Sequence, residues 1–327
     1  MTFAHDSIAV NAKGGTELMR DGLASRIDPK LLENFQIFIS RVEDEMDPTK
    51  IRLYWCQDLP DDPAAAHLAN NGWEKFHRLI FATNWQMQAF INKFGIPWSH
   101  CIVLPNCIEP IPAHEKPKDG KLRLAYWSTP HRGLNILVPV FKRLCEKHDN
   151  IELDVYSSFK IYGWEERDQQ FEDLFEECKQ TPNINYHGSI PNADLKKALE
   201  KTHIHAYPCT WVETSCITLM EAMSAGLACL HPNLGALSET AAGWTQMYQF
   251  HEDPNQHAMI FYYELDALIE NYSGNFIQSR NATIKTYADV FYNWDSRAMQ
   301  WAAWLESLLP LPRELPKPAS EFFTYRA

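Results

Sequence analysis

Several features are missing from this 327-residue chain, and each absence narrows what it can be. No two of its eight cysteines form a C-x-x-C pair: Cys56, Cys101, Cys107, Cys145, Cys178, Cys209, Cys216 and Cys229 are scattered through segments that mostly read as core. Free, reduced thiols in a reducing compartment are expected. No cluster of five or more lysines and arginines occurs, and the formal net charge is −12. Basic side chains supply most of the affinity for nucleic acid and anionic membranes, so the charge argues against both as partners. No segment approaches 18 uninterrupted apolar residues, so no transmembrane span is expected. The first fifteen residues, MTFAHDSIAVNAKGG, contain no apolar signal region. A soluble, intracellular, cytoplasmic protein is expected. No internal repeat is visible.

What is present is a chain 45% hydrophobic, long enough for two domains. Short apolar runs alternate with helical patterns. In the first hundred residues, TFAHDSI, FQIFIS, IRLYWC, RLIFAT and CIVLP read as strands. KGGTELMRDGLASRI, PAAAHLANNGWEKF and NWQMQAFINKFG read as helices, with Gly95 just past the end of the last. CIEPIPAHEKPKDGK (107–121) carries three prolines, a glycine and six charges, and reads as a linker. The alternation then resumes. LRLAYWS, IELDVYSS, INYHG, IHAYP and ACLH read as strands. RGLNILVPVFKRLCEKH reads as a helix interrupted by Pro139, and EERDQQFEDLFEECKQ as a charged amphipathic helix. NADLKKALEKT reads as a helix capped by Asn192, and SRAMQWAAWLESLL as the last clear helix. The proline-rich tail reads as irregular. This order implies α/β architecture with parallel, doubly wound sheets. The expected domains are 1–110, joined by the helix and tail of 300–327, then a linker at 111–121 and a second domain at 122–299. Ligands of such sheets bind outside the carboxyl ends of the strands.

The strongest signal is CTWVETSCITLMEAMSAGLACLHPNLGALSET, residues 209 to 240. Glu213 and Glu221 stand with seven residues between them. A helix is expected to start near Ser215 or Cys216 and to run to Ala225. Its first amides have no intrahelical partner and its dipole is positive at that end. Thr214 and Ser215 can cap some of these amides and leave others for phosphate or diphosphate. Glu213, in the loop before the helix, is then placed to accept hydrogen bonds from a sugar on that diphosphate. Glu221 lies about 12 Å further along, where it can accept from two ribose hydroxyls. The spacing fits the two ends of a nucleotide sugar. Taken alone, two such glutamates have a plainer explanation, since acidic residues offset a helix dipole and Glu221 could lie on a solvated face.

The whole stretch resembles the family 4 glycosyltransferases, retaining enzymes with two facing Rossmann-like domains (the GT-B fold). The resemblance rests on Glu213 to Glu221, on EAMSAGLACLHP, and on the glycine turn NLGALSET. Further matches are RLIFATNWQMQAFINKFGIPWSHCIVLPNCIEP, INYHGSIPNADLKKALEKTHIHAYP, KGGTELM and FYNWDSRAMQW. It covers most of residues 80 to 305, and the first 80 only through the glycine loop.

This resemblance implies a glycosyltransferase, hexosyl- or pentosyl-, acting on a nucleotide-diphosphate sugar without metal or other cofactor, and no D-x-D occurs. Glu213 would contact the transferred sugar. Arg132, where the family has a lysine, would neutralise the leaving diphosphate. The amides of Ser215, Cys216 and Ile217, after Thr214, would hold that diphosphate, and Glu221 the ribose. Gly14 and Gly15 would let backbone approach donor phosphate or acceptor. Gly188 and Ile190 would flank the nucleobase. The donor is a UDP-, GDP- or ADP-sugar, and the acceptor a glycan, lipid or small molecule.

Two departures stand out. The family's second donor-loop cation is replaced by Ser128 and His131. Its first-domain histidine has no counterpart in LYWCQDLP, where Asp58 either takes that place or serves as a turn residue. These departures keep open a catalytically silent nucleotide-sugar-binding protein, and a GT-B sugar-nucleotide epimerase is a further alternative. Other residues carry less. His5, Asp6 and Lys13 have ordinary turn and loop explanations. His203 and His205 alternate on a strand without a third metal ligand. Trp55, Trp98 and Trp211 are candidates for a cleft.

Overall fold

The computed structural model describes residues 3–4, 14–42 and 45–315. The chain divides into two compact units. One contains Leu23–Leu104 and the segment from Ala298 onward; the other contains the segment ending at Gly22 and Pro105–Arg297.

The first unit is built on a parallel sheet of β1 (Phe3–Ala4), β2 (Phe35–Ile39), β3 (Ile51–Trp55), β4 (Arg78–Phe81) and β5 (Cys101–Val103), paired in chain order. Parallel strands need crossover connections, which cover both faces. This is why β2 is buried at every position. The helix Asn84–Phe94 starts at Thr83, whose hydroxyl accepts from the Gln86 amide, and ends at Gly95 with φ of 67°. Trp55 packs against Trp301 of the helix Trp294–Leu308, with ring centroids 4.8 Å apart. Residues 63–76 do not form the expected α-helix. They make two 3-10 turns, Pro63–Leu68 and Gly72–Lys75, separated by Asn70 and Asn71. Both asparagines adopt positive φ, which a continuous helix excludes.

The second unit holds β6 (Leu122–Trp127), β7 (Ile151–Tyr156), β8 (Ile184–Tyr186), β9 (Ile204–Ala206), β10 (Ala228–Pro232) and β11 (Gln246–Tyr248). All pair in parallel, in the spatial order β8-β7-β6-β9-β10-β11 reversed from the sheet's other edge. The chain therefore winds outward from β6 to β8, returns to β9 on the other side of β6, and winds outward again. The reversal creates a topological switch point between β6 and β9, where their carboxyl-end loops splay apart. In the first sheet the described strands show no such reversal.

Three local expectations in this unit differ from the structure. Leu134–Cys145 is one helix that contains Pro139 rather than being interrupted by it. Pro139 and Asn135 both lie on the exposed face, where water can satisfy the carbonyl that proline cannot bond. The charged segment 165–180 begins as a 3-10 helix, Glu165–Phe171, and becomes α-helical at Glu172–Gln180. Asn192 is the first helical residue rather than the cap, which is Pro191, and its side-chain amide donates to Glu221. Strand β11 and the helices Pro254–Asn271 and Asn275–Phe291 lie in a stretch where the sequence pattern assigned no elements.

All eight cysteines are free. Among the described residues no helix is long and apolar enough to cross a membrane.

Trp301 is fully buried, so Trp301→Ala should cost the first unit about 3–5 kcal/mol. Denaturant unfolding read by hydrogen exchange in β3 measures this. A loss below about 1 kcal/mol would mean that the last helix contributes little to the unit's core.

Candidate functional site

The carboxyl ends of β6 and β9 bring together two residues 81 positions apart. Arg132 ends the turn Pro130–Arg132 that follows β6. Glu213 lies in the loop between β9 and the helix Ile217–Ser224. Arg132 Nη1 lies 2.7 Å from Glu213 Oε1, and side-chain exposure is 22% for the arginine and 6% for the glutamate. The Tyr207 hydroxyl donates to the same carboxylate oxygen at 2.7 Å. Burial lowers the arginine pKa, but Glu213 together with Tyr162, Tyr207 and Cys209 outweighs it and keeps the guanidinium charged.

Both loops reach this geometry through a glycine. Gly133 has φ of 109°, and a Cβ there would overlap the carbonyl oxygen of Pro208. Gly235 has φ of 60° and forms an isolated parallel bridge with Glu213. A Cβ at Gly235 would stand 2.6 Å from the Glu213 carbonyl oxygen, which already accepts from the Ala236 amide at 2.8 Å. The glycine turn after β10 thus fixes the backbone that presents Glu213.

The helix that follows is Ile217–Ser224, one or two residues shorter at its start than expected, with Cys216 in the cap position. Cys216 makes no side-chain capping bond; its sulfur lies 3.2 Å from Thr218 Oγ1. The Ser215 hydroxyl is buried and has no protein partner, and the same holds for Arg132 Nε. Polar atoms of this kind are rarely left unmatched in a folded protein. Here two of them belong to predicted site residues beside a helix N-terminus.

Gly14 and Gly15 open the helix Gly15–Ala24 and pack on this same region. A Cβ at Gly14 would run into the Tyr162 ring, and one at Gly15 would sit 3.0 Å from Ile217 Cδ1. Tyr162 is also one of the groups that raises the Arg132 pKa. The glycine loop, Arg132 and the start of the helix are therefore neighbours.

Glu221 does not lie on a solvated face. It is 4% exposed, and its oxygens accept from the Trp127 indole at 3.2 Å and the Asn192 amide at 3.1 Å. Burial raises its pKa, against the lowering effect of these bonds and of Lys196. Gly188 and Ile190 follow β8 in the loop leading to Asn192, with Ile190 packed against the core.

Other predicted residues fall elsewhere. Asp58 follows β3 in the first unit. Burial raises its pKa, Ser40 is its hydrogen-bonding partner, and its Oδ2 is buried without a partner. Trp55 is core rather than a cleft residue, being 1% exposed against Trp301. Trp98 is exposed, on the short turn Trp98–His100. Trp211 is 42% exposed, with the Arg132 guanidinium 5.9 Å from its ring. His131 stacks on Phe159 and meets Trp211 edge-on. Burial, then Arg132 and Arg167, lowers its pKa to about 4, so at neutral pH it supplies no second cation. Among the described residues no group of three or more His, Cys, Asp or Glu is placed to hold a metal ion. His5, Asp6 and Lys13 lie outside the described residues.

Sequence reasoning missed Tyr207, Trp127, Asn192 and Tyr162. Trp127 ends β6, Tyr207 follows β9, Asn192 starts a helix and Tyr162 ends the 3-10 turn Phe159–Tyr162, and nothing in their local patterns separates a site residue from core. A cavity of about 510 Å³ in the first unit, lined by Arg52, His67, Asn71 and Lys75 among others, contains none of the predicted residues. Another of about 470 Å³ borders the arginine loop at His131, Asn135, Thr210 and Phe250.

The family model described as "Glycosyl transferases group 1" matches residues 113–285. No curated protein matches the sequence. Among solved structures, the chain is similar to the pneumococcal O-GlcNAc transferase GtfA in complex with UDP and GlcNAc. Identity is 14% and the TM-score 0.64, over 91% of this chain and 61% of that one. It therefore spans less than two thirds of GtfA. A glycosyltransferase from Rickettsia africae matches at 11% identity and a TM-score of 0.66, over 94% and 85% of the two chains. Anabaena HepE in complex with UDP-glucose matches at 13% and 0.64, over 89% and 82%. These likenesses establish the GT-B fold, with its two Rossmann-like α/β domains.

The raised Glu221 pKa has a consequence for stability. The folded state holds this proton more tightly than the unfolded chain, so stability falls as pH rises from the ordinary value of 4.5 through the folded value. Below 4.5 the penalty is absent; above the folded pKa it is fully present. Glu221→Gln lacks this slope. Urea unfolding between pH 4 and 8 should show the variant gaining on the wild type as pH rises. A difference independent of pH would mean that the carboxylate is not desolvated.

Proposed function

The chain belongs to the group 1 glycosyl transferases, and from that premise we propose that it transfers a sugar from a nucleotide-diphosphate sugar, with retention and without a metal ion. The observation that carries the reading is the partly buried Arg132–Glu213 pair beside the helix Ile217–Ser224 at the switch point of a parallel sheet. In this reading the diphosphate lies over the amides of Ser215, Cys216 and Ile217 after Thr214, with the Ser215 hydroxyl as a further donor. A guanidinium has five N–H donors, and Glu213 engages one of them. The remaining donors of Arg132 face charge that grows as the sugar–phosphate bond breaks.

The protein donors engage Glu213 through Oε1. Its Oε2 then serves the hydroxyls of the transferred sugar. Glu221 accepts from the ribose, exchanging or sharing the bonds that Asn192 and Trp127 now make. Gly188 and Ile190 flank the base, and Gly14 and Gly15 bring backbone to the phosphate or the acceptor. The acceptor hydroxyl attacks the anomeric carbon on the face the diphosphate leaves, and its proton passes to the departing phosphate oxygen. Arg132 and the helix dipole supply the positive charge that a divalent metal would otherwise provide. UDP is the first nucleotide to test, because GtfA and HepE are complexed with UDP or a UDP-sugar. GDP- and ADP-sugars follow. Asp58 is proposed to meet the sugar in place of a histidine. The acceptor is a glycan, lipid or small molecule.

One observation favours a second reading. Neutral His131 leaves Arg132 as the only charged side chain in the loop 128–133, a setting that also suits a silent nucleotide-sugar-binding protein.

Thermal shift with UDP, GDP, ADP and their sugars, in chelator, tests the donor. A ligand at about a hundred times its dissociation constant adds about 2.7 kcal/mol to the state that binds it. One nucleotide should raise the melting temperature by roughly several degrees, and Glu221→Ala should reduce the shift. Donor turnover should fall roughly 100- to 1,000-fold in Glu213→Ala. Binding without turnover would favour the silent protein; a free sugar of altered stereochemistry would favour the epimerase. No shift with any of the nucleotides would defeat the donor assignment.

A further inference from the structure

His205 has no part in the chemistry above, yet it stands between the supports of both glutamates. It lies in β9, fully buried, and neither ring nitrogen has a hydrogen-bond partner. Burial, then the neighbouring His231, lowers its pKa to about 3, so the ring is neutral. A neutral imidazole carries one donor and one acceptor, and burying both unmatched carries a free-energy penalty. A leucine or phenylalanine would avoid that penalty, so what the ring touches deserves a reason.

Across the sheet His205 is in register with Ala125 of β6 and Cys229 of β10. Both are small, which leaves the ring to residues further along the same face. Trp127 is two positions beyond Ala125, and Tyr207 two beyond His205, so all three rings project from one face of the sheet. The Trp127 ring centroid is 4.2 Å from that of His205, tilted by 36°. The Tyr207 ring is 5.2 Å away and within 15° of parallel. Trp127 is the residue that donates to Glu221, and Tyr207 the residue that donates to Glu213. One ring therefore lies against both side chains that orient the two carboxylates.

We propose that His205 is a positioning residue: a flat spacer between Trp127 and Tyr207 that holds Glu221 and Glu213 at the separation the two ends of a nucleotide sugar require. The role of the spacer rests on the reading of the two glutamates given above. The contacts it maintains do not depend on that reading. The ring nitrogens have no partners, so the stacking surface, not the hydrogen-bonding capacity, is what the site uses.

The test compares His205→Phe, which keeps a flat ring, with His205→Leu and His205→Ala, which do not. The first readout needs no ligand. The indole N–H resonance of Trp127, identified by its loss in Trp127→Phe, reports the bond to Glu221. It should stay near the wild-type position in His205→Phe and move in the other two. The second readout is a double-mutant cycle on UDP affinity. Glu221→Gln should weaken UDP binding about tenfold in the wild-type and His205→Phe backgrounds, and less than threefold in His205→Leu, where the carboxylate is already displaced. The proposal is overturned if the Trp127 resonance is unmoved in folded His205→Leu, or if Glu221→Gln costs the same factor in every background. If wild-type protein binds none of UDP, GDP or ADP, the donor assignment fails separately, and the indole resonance still decides whether His205 sets the Trp127–Glu221 bond.

Discussion

A partly buried charge pair organises this site. Removing an arginine and a carboxylate from water costs several kcal/mol for each ion, and the pair is tolerable only when geometry and further hydrogen bonds are good. The structure meets that demand in specific ways. A 2.7 Å contact joins Arg132 to Glu213, and Tyr207 gives the same oxygen a second donor. The backbone on each side is held by a glycine in a conformation other residues rarely adopt. The loops belong to β6 and β9, which meet only because the sheet reverses its order there. Fold, loop conformation and electrostatics therefore converge on one point.

Stability alone is a poor reason to keep such a pair. A salt bridge kept only for stability would do as well as packed apolar residues, or worse. Glu221 makes the same argument more sharply. It is buried at a net cost that shows in its raised pKa, and the two groups bonded to it do not remove that cost. One carboxylate in the loop before a short helix and another inside that helix, with a cation and unmatched polar atoms at its start, suit a ligand with polar ends and a charged middle. Under the proposed function that ligand is a nucleotide-diphosphate sugar.

Much of this was legible in the sequence because the signals were local. The E-x7-E segment, the strand before it and the glycine turn after it lie within about thirty residues, and each carries its own pattern. Gly95 as a helix end and the alternation of strands and helices were legible for the same reason. What escaped depended on contacts between distant segments. Asn192 is a favoured cap residue type, yet it stands inside the helix, and its amide donates to Glu221, 29 residues away. Tyr207, Trp127 and His205 look like strand-end core residues until the sheet sets them side by side. The 3-10 turns of 63–76 were misread because Asn70 and Asn71 have no periodic signature, only a tolerance for positive φ. Pro139 was read as a break because exposure, which makes it harmless, is not visible in a single sequence.

The central claim is that Arg132 and the helix start at Ile217 hold a diphosphate, so the decisive comparison isolates that group. Calorimetric titration of the full chain with UDP and with uridine, at low salt and in chelator, makes it. UDP is the nucleotide carried by the GtfA complex to which the chain is similar. The account predicts that UDP binds at least about a hundredfold more tightly than uridine, equivalent to about 2.7 kcal/mol, and that Arg132→Met removes most of the difference. Equal affinity for UDP and uridine would contradict it, since the charged centre of the site would then contribute nothing to recognition.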